Sequence, residues 1–255
     1  KQPLIILATA DEETSMSGAK AIAKSANVLG INNARFAVVG EPTDMKPIRM
    51  HKGMMMEAIQ LTGQAGHSSN PELGNNALEA MHKVISELML WRDELQSKYH
   101  NPMFEVPVPT MNFGHIHGGD NPNRICGSCE LQIDIRPLPG MKIDELRREM
   151  QSRLKKVLHE TGIQFKTVPL FDGVEAVETS SQSEIVKLAE KMTKTEASAV
   201  AFGTEAPYYN ALGLESIVMG PGSINQAHQP DEYIETRSLN PAVDIIRQLI
   251  VHHCF

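Results

Sequence analysis

Aromatic residues make up only 5% of this 255-residue sequence, with a single tryptophan, and cysteine occurs three times. An odd count closes no disulfide framework, so Cys126, Cys129 and Cys254 read as reduced thiols and the cytoplasm as the expected compartment. Cys126 and Cys129 have CxxC spacing, but no second Cys or His pair follows at zinc-site distance, which excludes a structural zinc knuckle. No apolar run reaches the roughly 18 residues of a membrane helix, and the opening KQPLIILATADEE lacks a secretory cleavage pattern. Neither a membrane nor a secretory leader is expected. Excess positive charge is also missing: 24 Lys and Arg stand against 31 Asp and Glu, a net charge of -7. That excludes the broad basic face a nucleic-acid partner needs. Internal repeats and low-complexity tracts are absent.

What is present is a soluble composition, 41% hydrophobic, in a chain long enough for two domains. Leu4 to Ala8 is a short apolar run, expected to be a buried parallel strand, with a helix over Ser17 to Ala26 after it. Arg35 to Val39 repeats the strand character and ends at Gly40, Glu41 and Pro42. In open α/β sheets, loops at the carboxyl ends of strands are where sites form.

From about His51 the texture changes. Met54 to Leu61 alternates weakly, GQAGHSSNP is a loop, and Asn75 to about Ser97 is helical, with Leu78, Met81, Ile85, Leu88 and Trp91 as its expected core stripe. Two alternating segments, Thr110 to His117 and Cys126 to Arg136, precede a second amphipathic helix over Ile143 to Glu160, closed by Gly162, and a strand at Phe165 to Leu170. This order predicts a ferredoxin-like α+β layer. After residue 171 the first texture returns, with a helix near Ser183 to Thr193, a strand at Ser216 to Met219 and a last helix capped by Asn240, with Pro241 at its first position. The expected organisation is an α/β domain over 1–50 and 171–255, interrupted by an inserted domain over 51–170.

Asp11, Glu12 and Glu13 are adjacent acids after the first apolar run. Such a pair can serve two roles that amide hydrolysis requires, one carboxylate holding a metal and the other moving a proton. Three acids in a loop are also an ordinary solvated turn. Glu41 in VVGEPTD and His228 in GPGSINQAHQPDE add a carboxylate and an imidazole suited to zinc or a related divalent ion. Taken singly, the first reads as a surface acid and the second as a loop histidine, so the combination carries the weight.

The motifs ATADEETSMSGA, VVGEPT, GQAGHSSNP, GGDNPNRICGSCELQIDIRPLPG and GPGSINQAHQPDEY occur in this order over essentially the whole chain. Together they resemble the dinuclear zinc aminoacylase and carboxypeptidase family. The resemblance implies a zinc-peptidase-like α/β catalytic domain, N-terminally incomplete, with an inserted ferredoxin-like dimerisation and lid domain. It implies Glu12 as general base and Glu13, Glu41 and His228 as ligands of two zinc ions per subunit, a set that also accepts cobalt.

By the same resemblance His67 crosses a homodimer interface to stabilise the oxyanion in the partner's site. Asn123 and Arg136 would grip the substrate carboxylate, arginine by its planar fork. Thr204, Gly222 and Ser223 would offer hydroxyl and backbone contacts, and Glu205 in TEAPY would meet a cationic side chain. Hydrolysis of an N-acylated amino acid follows. The lid motifs HKG, RICGSCE and TEAPYY point to N2-acetyl-L-ornithine, a substrate of arginine biosynthesis, over succinylated diaminopimelate or dipeptides. A non-catalytic dimerising fragment is the reading from another class. The family's HxD loop and bridging aspartate normally precede the ADEE motif and have no counterpart here, so the segment alone is expected to bind metal weakly.

Overall fold

The computed structural model describes residues 2–255. The chain divides into two compact units, Lys1–Lys52 together with Ala176–Phe255, and Gly53–Glu175. The first unit opens with helices α1 (Ser17–Lys24) and α2 (Ala26–Leu29) and strands β1 (Phe36–Val39) and β2 (Ile48–His51). The second runs through β3 (Met55–Thr62), α3 (Ala77–Lys98), β4 (Thr110–Gly118), β5 (Ser128–Arg136), α4 (Ile143–Val157) and β6 (Gln164–Pro169). The chain then completes the first unit with β7 (Val177–Glu178), α5 (Glu184–Thr193), β8 (Ser198–Val200), α6 (Ala206–Asn210), β9 (Glu215–Val218) and α7 (Leu239–Cys254).

In the second unit all neighbours are antiparallel, in the order β4-β5-β3-β6. Numbered within the unit, this is the 4-1-3-2 arrangement of a ferredoxin-like layer read from the β6 edge. The pleat explains the register: Cys129, Leu131, Ile133 and Ile135 alternate inward on β5, facing Leu61, Ile59, Glu57 and Met55 of β3. Helix α3 starts where Asn76 Oδ1 accepts from the Leu78 and Glu79 amides at 3.0 and 3.4 Å, and Asn76 Nδ2 donates back to Glu79 at 3.1 Å. This reciprocal cap satisfies donors that would otherwise have no partner. The buried stripe of α3 is Ala77, Ala80, Met81, Val84, Leu88, Trp91 and Leu95. The expected Leu78 is exposed instead, and Ile85 is only half-buried, because the small Ala77 and Ala80 turn the packed face toward themselves.

Several charged groups in this unit are paired within it. Glu57 is 1% exposed and accepts from Arg147 Nε at 2.6 Å, while Arg147 also donates to the Phe171 carbonyl. Burial raises the Glu57 carboxyl and Arg147 opposes that rise. Arg153 joins Glu87 and Glu94 of α3 to Glu149 of its own helix.

The first unit is a sheet with helices on both faces. Its order is β1-β9-β2-β7, with β8 also paired to β2, and β1 runs parallel to β9 from Phe36↔Glu215 to Val39↔Val218. Alternation along β9 feeds two cores: Val218 packs with Val39, Ile48, Ala206 and Tyr209, whereas Ile217 and Met219 pack with Ile185, Val186, Ala189 and Leu249.

Two expectations fail here. Leu4 to Ala8 forms no strand, and the run is exposed, Leu4 by 51% and Ile6 by 84%. A buried strand is made by its ladder and covering layers as much as by its own apolar residues, and among the described residues no strand pairs with this run. The last helix starts two residues earlier than expected, with Ser238 at the N-cap and Leu239 at its first position, so Asn240 lies inside it and does not cap it.

Candidate active site

The ADEE motif sits on a tight turn and not at a strand end. The Asp11 carbonyl accepts from the amides of Thr14, Ser15 and Met16 at 3.2, 3.0 and 2.7 Å. Asp11 takes φ 61°, a left-handed conformation that Asp tolerates better than bulkier residues. The turn is fastened to α1, whose Gly18 amide donates to the Ala10 carbonyl at 3.1 Å. A Cβ on Gly18 would lie 2.5 Å from Ala10 backbone atoms, so only glycine allows this approach. Upstream, Thr9 Oγ1 donates to Glu205 Oε2 at 2.8 Å, which ties the turn to the start of α6.

Glu41 follows β1, and the loop after the parallel neighbour β9 closes against it. Thr43 and Met45 amides donate to the Gly220 carbonyl, the Asp44 amide donates to Gly222, and the Gly220 amide donates to Thr43 Oγ1 at 3.2 Å. Thr43 and Ser223 form an isolated antiparallel bridge. A Cβ on Gly220 would stand 2.6 Å from the Glu41 carbonyl oxygen, and Gly222 takes φ 89°. The glycines of GPG thus let the two loops close against each other.

His228, also left-handed at φ 60°, brings Nε2 to 3.6 Å from Glu13 Oε2, both side chains being largely exposed. Glu205 is buried, its Oε1 without a hydrogen-bond partner, and neighbouring Thr204 is buried with its hydroxyl accepting from the Ala206 amide at 3.1 Å.

The electrostatics show how these acids crowd. Burial first, then the charges of Glu12, Glu13 and Glu205, push the Glu41 carboxyl from 4.5 to about 7. Glu12 is likewise raised by burial, Glu13 and Glu205, with His228 opposing. The same buried Glu205 helps push Tyr209 up to about 12, after burial itself. The structure therefore gathers Glu12, Glu13, Glu41, Glu205 and His228 into one charged neighbourhood, with Thr204 beside Glu205, and Gly222 and Ser223 beside the Glu41 loop. Thr9, Gly18, Thr43 and Gly220 hold it together. No motif pointed to Thr9, because 196 positions separate it from Glu205.

In the second unit, the His67 and Asn123 loops pair: His67 bridges Arg124, and the Ser68 amide donates to the Asn123 carbonyl at 3.1 Å. Arg136 closes the far end of β5, where its Nε donates to Asp134 at 2.9 Å. Nine residues of strand put it on the order of 26 Å from the end nearer His67.

Residues 49–162 match the peptidase dimerisation domain family M20_dimer. The chain is 46% identical over 253 residues to acetylornithine deacetylase of Pectobacterium carotovorum subsp. carotovorum (strain PC1), an alignment covering 99% of this chain and 65% of that protein. It is 45% identical over 255 residues to the Salmonella typhimurium acetylornithine deacetylase, covering 100% of this chain and again 65% of the relative. Among solved structures, a dinuclear metal-binding peptidase of the M20 family from Bacillus subtilis superposes with a TM-score of 0.68 at 14% identity, over 96% of this chain and 63% of its own. A tripeptidase from Staphylococcus aureus gives 0.71 at 19% identity, over 95% and 62%. The chain has the M20 metallopeptidase fold. It spans about 65% of the length of the curated relatives it matches.

An M20 fold implies a metal, and carboxylate and imidazole are the donor types that suit one, although among the described residues the ligand atoms of Glu13, Glu41 and His228 do not all lie within 4.8 Å of one another. Glu12 and Glu41 have their affinity for protons raised by burial and by neighbouring acids, and Glu13 lies beside the His228 imidazole, a charge pattern that a divalent cation would neutralise. No helix among the described residues is long and apolar enough to cross a membrane.

Proposed function

We propose that the protein hydrolyses N2-acetyl-L-ornithine to L-ornithine and acetate, a step of arginine biosynthesis, and that it works as a cytoplasmic homodimer through its dimerisation domain. The observation that carries this reading is the convergence of Glu12, Glu13, Glu41, Glu205 and His228, in a chain 46% identical to an acetylornithine deacetylase.

Glu13, Glu41 and His228 would hold zinc, or cobalt in its place. Three such ligands suit one catalytic ion, so a pair of ions draws on further groups. A cation held there would supply Lewis-acid polarisation of the acyl carbonyl and would lower the pKa of the attacking water. Glu12 accepts the proton of that water and delivers it to the leaving amine nitrogen. Burial, with the charges of Glu13 and Glu205, raises its carboxyl above the ordinary value, which favours uptake of a proton by the group that must return it.

The partner subunit's His67 donates to the oxyanion of the tetrahedral intermediate. Asn123 and Arg136 hold the substrate carboxylate. Thr204, Gly222 and Ser223 line the acyl and main-chain contacts. Glu205, buried with one oxygen unpartnered, meets the ornithine ammonium.

Acetate release from N2-acetyl-L-ornithine, measured with added zinc, tests the reading. Glu12→Gln is expected to lower kcat about 1000-fold while zinc uptake and the unfolding midpoint stay put. Full activity in that variant overturns the assignment of the base, and faster turnover of N-succinyl-diaminopimelate overturns the substrate.

A further inference from the structure

Among the described residues, the ligand atoms of Glu184, His252 and His253 form the one group of three or more His, Cys, Asp or Glu that lies within 4.8 Å of itself. Glu184 is the first residue of α5, and the two histidines lie in the last turn of α7. Arg35, just before β1, donates to Glu184 Oε2 at 3.0 Å. The Glu41 loop follows the other end of the same strand, so the two clusters sit at opposite ends of β1.

The distances decide what this cluster can do. His252 Nε2 and His253 Nδ1 stand 3.5 and 3.8 Å from the same oxygen, Glu184 Oε1. Both exceed a hydrogen bond's usual 2.7 to 3.2 Å. Ligands about 2.1 Å from a tetrahedral ion lie roughly 3.4 Å from one another, close to the spacing seen. Arg35 engages Oε2 and thereby turns Oε1 toward the imidazoles, as outer partners of metal-binding carboxylates do. The His253 ring is held against Phe36, centroids 4.6 Å apart. Arg35, Glu184 and His252 also line a cavity of about 590 Å³, which leaves a fourth coordination position open to water.

We propose that Glu184, His252 and His253 form a second binding site for a zinc-type divalent cation, one that clips the end of α7 to the start of α5. Two imidazoles and one carboxylate oxygen select first-row ions such as zinc over magnesium or calcium.

Calorimetric titration with zinc chloride, in Glu41→Gln/His228→Ala protein, isolates this cluster from the other. The expected result is one equivalent of zinc bound, with a rise in Tm on binding. Adding His252→Ala removes both, and Arg35→Gln weakens binding roughly tenfold. His252 is half-exposed, so His252→Ala is expected to leave the circular dichroism spectrum unchanged. A second readout needs no variant at this cluster: zinc should shift the imidazole resonances of His252 and His253 ahead of those of the other histidines. Absence of zinc uptake in Glu41→Gln/His228→Ala protein, uptake unchanged by His252→Ala, or unshifted His252 and His253 resonances overturns the proposal. None of these outcomes bears on Glu12, so the hydrolase reading stands or falls separately.

Discussion

The two units handle charge in opposite ways. In the unit built on β3 to β6, Glu57 lies under Arg147, and Arg153 gathers Glu87, Glu94 and Glu149, so these acids each have an arginine beside them. In the other unit burial and the charges of neighbouring acids raise the Glu12 and Glu41 carboxyls, and the group of opposite sign beside them is the imidazole of His228, 3.6 Å from Glu13. Paired charge within a regular layer holds structure together. Like charge gathered on loops costs stability and marks where a cation or substrate is expected.

The largest effect that could break this contrast is at Arg147. Arg147→Ala leaves the Glu57 carboxylate buried without its partner and should destabilise the second unit by about 4 kcal/mol in urea unfolding. A loss below about 1 kcal/mol would mean that the pair is solvated and the contrast overdrawn.

The acidic cluster makes a prediction of opposite character. Glu41 titrates near 7 when folded and near its ordinary 4.5 when unfolded, so the folded state holds the extra proton between those values. Its stability is therefore fullest below about pH 4.5 and declines as pH rises through 7, by about 1 to 2 kcal/mol for this group in metal-free buffer once solvent screening of a partly exposed carboxyl is allowed for. Glu41→Gln should flatten that slope, as seen by denaturation at pH 5 and pH 8. An unchanged slope would place the repulsion elsewhere.

The smallest effect is local. Asn76→Ala removes the reciprocal cap of α3 and should cost about 1 kcal/mol, without changing zinc uptake in the other unit.

How far the sequence disclosed all this depended on the range of the forces involved. The alternation of β5 and the start of α4 at Ile143 were legible because pleat and helix geometry act over a few residues, whereas α4 ends at Val157, short of the expected Glu160 and of Gly162. The stripe of α3 was misjudged at Leu78, where size outweighed hydrophobicity. Strands β2, β7 and β8 went unseen, being four, two and three residues long and specified by neighbours such as β9 and not by their own pattern. Glu12, Glu13, Glu41 and His228 could be picked out by motif. Their crowding with Glu205, and the Thr9 hydroxyl that fixes it, depend on contacts between distant segments, and no local spacing reports those.

The left-handed backbone at Asp11 and His228 carries one more consequence. Glycine would relax both positions, and in a screen that rewarded heat resistance alone such replacements would be among the first enriched. The survivors would keep the sheet and its two cores, yet lose the imidazole at 228 and the rigid turn that carries Glu12 and Glu13. This chain's tolerance to heating and its chemistry are thus opposed at two identifiable codons, and the balance between them can be read by sequencing such a selection.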